Sequence, residues 1–293
     1  MIVNDKIYRS IIPSPNRGGI KGGVLILIVL STILLHSCKK DNSTDLNPNL
    51  NVADNIVIAE EAYNHVVIMT IRALKDPLLL SQGHIYMDSG YVIFDSLNKK
   101  ISFNYYNRLS PDSITRSGKF DVWMSGNLLA KGSYARILFT EYSCDGQTIT
   151  GNDSIVNAGI DGNAKMVFEN FITGGVITQL SLLSLSWQSS NRFTVDPSVF
   201  TVGASNYYVL ISGEASGIST EGFKFGAVTK DSLIWWSECP WLAGDKISFS
   251  LTGVDVTSGT IKYNSENRYT DDMEYDFEGN LYYTRMSSLY LKH

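Results

Sequence analysis

The chain has 293 residues, 44% of them hydrophobic and 18% charged, enough for one large domain or two small ones and too apolar for wholesale disorder. Its 24 Gly, 16 Tyr and 12 Phe against 7 Pro and 3 Cys suit β-structure with many turns, and exclude collagen, a coiled coil, a polytopic membrane protein and a disulfide-knit miniprotein. A net charge of −5 lacks the basic excess that phosphate backbones attract, so no nucleic-acid partner is expected.

The N-terminal segment reads as export information. Lys6, Arg9, Arg17 and Lys21 stand against a single acid, Asp5, ahead of an apolar run from Val24 to Leu35. Basic residues followed by a short apolar run are the layout of a signal peptide. The run is well short of the roughly 20 residues that a membrane-crossing helix needs. It leads into Leu35-His36-Ser37-Cys38, which resembles the bacterial lipobox, so residues 1–37 are expected to be removed and Cys38 to be acylated. The following Lys39-Lys40-Asp41-Asn42-Ser43 is similar to the start of many mature lipoproteins of the Bacteroidota. Cleavage takes four basic residues and one acid from the 24 and 29 of the whole chain, leaving the mature protein near −8. At that charge anionic lipid does not attract the domain, and the lipid on Cys38 has to supply membrane attachment. The expected location is the outer membrane, on its cell-surface or periplasmic side.

Residues 38–53, rich in Asn, Asp, Ser and Thr, read as a flexible tether. From Asp54, a capping-type residue, apolar positions recur at steps of three and four through Leu74, and Pro77 lies just beyond. This predicts one amphipathic helix over about 56–75, with an apolar side wide enough to pack on a sheet. After Gln82 the period becomes two. Ile101–Tyr105, Phe120–Met124, Ile247–Leu251 and Ile261–Tyr263 alternate as half-buried antiparallel strands do. Asp145-Gly146, Asp161-Gly162-Asn163, Gly174-Gly175, Gly244-Asp245 and Glu278-Gly279-Asn280 read as turns between them. The prediction is a mostly β domain over 54–293: a large antiparallel meander or sandwich-like sheet of about twelve to fourteen strands with one N-terminal amphipathic helix. Thr148–Ser154 and Leu210–Ser216 share a texture, and each precedes a tryptophan-bearing strand, but their unequal spacing does not make a repeat.

Four stretches carry a wider likeness: Arg116-Ser117-Gly118-Lys119-Phe120, Thr148 to Gly159, Tyr208 to Gly213, and Trp235-Trp236-Ser237-Glu238-Cys239-Pro240-Trp241. In texture and order the chain over 54–290 resembles a family of Bacteroidota envelope lipoproteins. The resemblance implies an all-β envelope domain and brings no activity with it.

Candidate chemistry is sparse. His65 and His84 are the only histidines between Cys38 and the terminal His293, and no HExxH, CxxC, nucleophile elbow or phosphate-cradling loop is present. No cofactor is called for. In Asp271–Glu278, Met273, Tyr275 and Phe277 fall on one face and Glu274, Asp276 and Glu278 on the other, as a solvated strand or a calcium site would place them. Cys144 and Cys239 are the thiols left once Cys38 is acylated. They form a disulfide if the fold brings them together and stay as two buried thiols if it does not. Trp235, Trp236 and Trp241 are the candidate ligand-binding aromatics. On a strand, Trp235 and Trp236 point to opposite faces, so one of them is expected outside, where its ring offers a stacking plane for a sugar or an anchor for a protein. With the lipobox resemblance, these features point to a non-catalytic, lipid-anchored cell-envelope protein, a binding, adhesion or scaffold module whose partner is a glycan or an envelope protein. The alternatives are a periplasmic lipid carrier, which requires an apolar cavity, and a glycosidase, which requires a pair of carboxylates in a cleft.

Overall fold

The computed structural model describes residues 48–179, 183–200, 206–239, 241–244, 246–253, 257–263 and 270–289, without the side chains of 48–50 and 287. The signal segment, Cys38, most of the tether, Pro240 and Asp245 lie outside the described residues. Helix α1 (Pro48–Lys75) leads, followed by the short α2 (Pro77–Gln82). Eight strands come next: β1 (His84–Met87), β2 (Gly90–Asp95), β3 (Lys100–Leu109), β4 (Thr115–Met124), β5 (Tyr134–Cys144), β6 (Gln147–Ile160), β7 (Met166–Thr178) and β8 (Ser184–Val195). A 3-10 turn, Pro197–Phe200, precedes β9 (Tyr208–Ile218), β10 (Lys224–Trp236), β11 (Leu242–Gly244), β12 (Lys246–Thr252), β13 (Ser258–Tyr263), β14 (Asp272–Phe277) and β15 (Asn280–Arg285), and the short α3 (Met286–Leu289) comes last. All fifteen strands belong to one antiparallel sheet, in which each pairs with its neighbours in sequence; only β11 leaves the path, pairing with β10 beside β12.

The alternation read from the sequence is what the sheet buries. In β14, Met273, Tyr275 and Phe277 are buried while Glu274 and Asp276 face out. Asp145-Gly146 and Glu278-Gly279 form tight turns with positive φ at both residues, the backbone that two-residue hairpins require. Gly174-Gly175 is not a turn. It is a bulge inside β7, where the register with β8 shifts between Ile172 and Gly175. A side chain at Gly175 would meet the Tyr63 hydroxyl at 2.7 Å, so the missing Cβ lets α1 press against the sheet.

The helix differs most from expectation. It begins at Pro48, so residues 48–53, read as tether, form its first turns, and Asp54 sits inside it rather than capping it. It does not lie on one face of the sheet. Every residue from Val52 to Ile71 is buried except Asn55. Side chains from all round α1 meet strands from both ends of the sheet. Asp54 accepts a hydrogen bond from Tyr275 of β14 at 2.8 Å. Tyr63 packs against Phe139 of β5 and Trp187 of β8, and donates to the Thr150 carbonyl of β6 at 2.7 Å. Asn64 accepts from Asn191 of β8 at 3.1 Å, and Arg72 pairs with Asp88 in the β1–β2 turn. The sheet therefore curls around the helix, and the core is the space between them. A helix buried on every side is normally apolar throughout, yet α1 also buries Glu60, Glu61, Asn64, His65 and Thr70. The amphipathic helix expected from the sequence, with one apolar side on a sheet, is thus a helix enclosed on all sides, polar residues included.

Candidate functional site

β9 and β10 run side by side with Tyr208 directly opposite Trp236 and Val209 opposite Trp235. Because successive side chains point to opposite faces, this register sends Trp235 inward and Trp236 outward. Trp235 is 6% exposed, edge-on to Tyr207 and under the Arg72 guanidinium at 5.7 Å. Trp241 is 7% exposed and belongs to the core. Of the three candidate tryptophans only Trp236 reaches the surface, half-buried, and its ring meets that of Tyr208 at 5.1 Å and 55°. The sequence reading missed Tyr208 as its companion: the signal was the Tyr207-Tyr208 doublet, whose relevance depends on a strand register the sequence does not state.

The two rings form one wall of a cleft of about 340 Å³, completed by Asp196, Ser198, Asn206 and Glu238. Asp196 accepts from Lys165 Nζ at 2.6 Å and from the Ser198 amide at 2.9 Å. The Lys165 hydrogen bond, with those from Ser198, holds its carboxyl well below the usual range and therefore ionised. A glycosidase acid needs the reverse shift. The cleft presents aromatic surface with hydroxyl, amide and carboxylate groups at its rim.

The acids with raised pKa are inside. Burial pushes Glu60 up to about 7 against the opposing hydrogen bond from Asn64. Burial, then the Asp112 charge, pushes Glu61 up to about 8. Asp153, buried beside Asn170, is raised to about 7. Arg116 is completely buried and makes a two-pronged ion pair with Asp112, one bond at 2.8 Å. A chamber of about 170 Å³ at this end of the helix is lined by His65, Arg72, Asp88, Asp112 and Trp235, and shares Ser237 and Glu238 with the aromatic cleft as a common wall. Burial, aided by the Arg116 and Arg72 charges, keeps His65 well below its ordinary pKa and so neutral. This chamber is polar and small, unlike the apolar cavity a lipid carrier needs.

Cys144 and Cys239 are both buried and are not joined in a disulfide. Burial raises the Cys144 thiol to about 11, which makes it inert at neutral pH. Glu274, Asp276 and Glu278 do not converge. Asp276 accepts from the Gly279 amide at 2.7 Å and Glu278 from the Thr257 amide at 3.4 Å. Among the described residues, no group of three or more His, Cys, Asp or Glu is placed to hold a metal ion, so the calcium reading of this strand finds no site. His84 is exposed, its ring 5.8 Å from that of Tyr91.

Comparison with protein-family models, with curated proteins and with solved structures finds no match to this chain.

Proposed function

We propose that this chain is a non-catalytic, lipid-anchored component of the bacterial outer membrane that binds a glycan in the Trp236–Tyr208 cleft. The observation that carries the reading is the outward ring pair itself: two aromatic planes inclined at 55° at the edge of a 340 Å³ cleft with hydroxyl, amide and carboxylate groups around it. Sugar rings present apolar C–H faces to such planes and hydroxyls to such rims, and aromatic residues bring large rigid area at low entropic cost.

Two measurements test the two halves of the reading. Trp236→Ala should abolish glycan binding in calorimetric titrations while circular dichroism stays that of the wild type. Retained binding would remove the cleft from the function, and capture of an envelope protein in place of any glycan would move the site to protein recognition. Metabolic labelling with a radioactive fatty acid should mark the wild type and not Cys38→Ser; label on both would overturn the lipobox assignment. Protease treatment of intact cells then decides which side of the outer membrane the domain occupies.

A further inference from the structure

The outer face that carries the cleft holds a second, larger depression further along the same strands. It is a groove of about 750 Å³ across β7, β8, β9, β10 and β12. Its floor is built from outward side chains in register. Ser190 of β8 lies opposite Glu214 of β9, which lies opposite Val228 of β10; one step along, Gln188 lies opposite Ser216, which lies opposite Gly226. Phe171 of β7, opposite Ser190 and 38% exposed, forms an aromatic side wall. Charge in the groove is balanced between Glu214 and Lys230.

The cleft and the groove are joined along β9. Between Tyr208 and Glu214 its outward residues are Leu210 and Ser212, both half-buried, with Thr194 of β8 opposite Leu210 on one side and Ile234 of β10 on the other. This is a low surface of alternating apolar and hydroxyl character. Of the cations beside it, Arg192 is turned to Asp161 at 3.5 Å, and Lys230, in the β10 bulge across from Ser212, lines the groove with Glu214. From Tyr208 to Ser216 the strand advances eight residues, about 26 Å at 3.3 Å each, a span far longer than any single sugar ring.

We propose that the groove is a second subsite for the same ligand, and that the ligand is an extended, uncharged polysaccharide lying along β9, with one sugar stacked in the Trp236–Tyr208 cleft and later sugars over Gln188, Ser190 and Ser216. The inference rests on the glycan reading of the cleft and adds the chain length and the absence of charge. Hydroxyls, an amide and offsetting charges in the groove match the donors and acceptors of a neutral sugar chain, and Phe171 offers a second stacking plane.

The test uses the detergent-solubilised full-length protein. A glycan array of neutral and acidic saccharides identifies the linkage that binds, and calorimetry then follows that linkage from disaccharide to octasaccharide. The expected result is affinity that rises at least about tenfold with length, because the second contact becomes intramolecular. Ser216→Trp, which fills the groove from an exposed position, should remove that gain and leave disaccharide affinity unchanged. Phe171→Ala provides a second groove variant that removes the side wall without adding bulk. Equal affinity for short and long chains, or groove variants without effect, would overturn the second subsite and leave the cleft standing. Binding of acidic glycans alone would overturn the neutral-chain assignment. If no saccharide binds, the cleft reading fails and this one with it.

Discussion

The two faces of the curled sheet use polar residues in opposite ways. The inner face surrounds a helix and buries Arg116, Asp112, Glu60, Glu61 and Asp153, each held by a specific neighbour or kept neutral by burial. On the outer face charged side chains pair at the surface, as Lys165 with Asp196, which lines the cleft, and Arg192 with Asp161. Charge buried without water is costly to expose to change, whereas charge at a surface is screened and costs little. The comparison gives the inner polar groups a structural role, while the proposed recognition rests on the outer aromatic ones.

The largest effect should come from breaking the inner ion pair. Arg116 is 0% exposed and holds Asp112, itself 4% exposed. Arg116→Ala leaves a buried carboxylate without its cation, for an expected loss of about 3–5 kcal/mol by urea denaturation. A loss comparable to that of a surface substitution would show that water reaches this pair and that the interior is not dry. Slightly smaller is the expected cost of Trp235→Ala, which opens a cavity between β10 and the end of α1: about 3 kcal/mol or more by the same measurement.

Next is the dependence on pH. Glu60, Glu61 and Asp153 are raised to about 7, 8 and 7 in the folded state, above their ordinary values of 4.5, 4.5 and 3.8. The folded protein therefore binds more protons than the unfolded chain in this range. Their stabilising contribution is complete below about pH 4 and is lost as pH rises through 7 to 8. His65, held neutral by burial, acts in the opposite sense, losing stability as pH falls below its ordinary 6.5, but it is one group against three. Urea midpoints should thus be higher at pH 5.5 than at pH 8. Glu61→Gln, which cannot ionise, should reduce the difference by on the order of 2 kcal/mol. A midpoint that rises with pH over this interval would mean that the acids are solvated or paired with cations.

How much of this was legible depended on whether a feature is local. Period-two alternation needs only neighbouring residues, and it placed Met273, Tyr275 and Phe277 inside and separated Trp235 from Trp236 correctly. The helix was found, but its environment was not. The burial of its polar side chains depends on residues far away in sequence: Asn191, which bonds Asn64, lies 127 residues beyond it, and Tyr275, which bonds Asp54, lies 221 beyond it. A sheet wrapped round a helix is a property of fifteen strands together and leaves no mark in any one of them. Trp241 could not be separated from Trp236 for the same reason, since its face is decided by packing beyond the end of β10. Gly174-Gly175 has the composition of a turn, and its use as a bulge follows from the Tyr63 hydroxyl that needs the space.

The smallest predicted effect on stability is also the sharpest test of the two-face comparison, because it compares adjacent residues of one type on one strand. Trp235 and Trp236 have the same side chain and nearly the same backbone position. They differ in the face they occupy: one is 6% exposed beneath Arg72, the other half-buried against Tyr208 at the cleft. Trp236→Ala removes a partly solvated ring and leaves room that water can fill, so its cost should stay at or below about 1 kcal/mol, while ligand binding is lost. Trp235→Ala should do the reverse, costing far more stability and weakening binding only as far as it unfolds the domain. A Trp236→Ala variant as destabilised as Trp235→Ala would make the ring pair a packing element of the β9–β10 edge. The cleft would then have no residue reserved for a ligand, since Tyr208 stands in register with Trp236 and would be explained by the same packing.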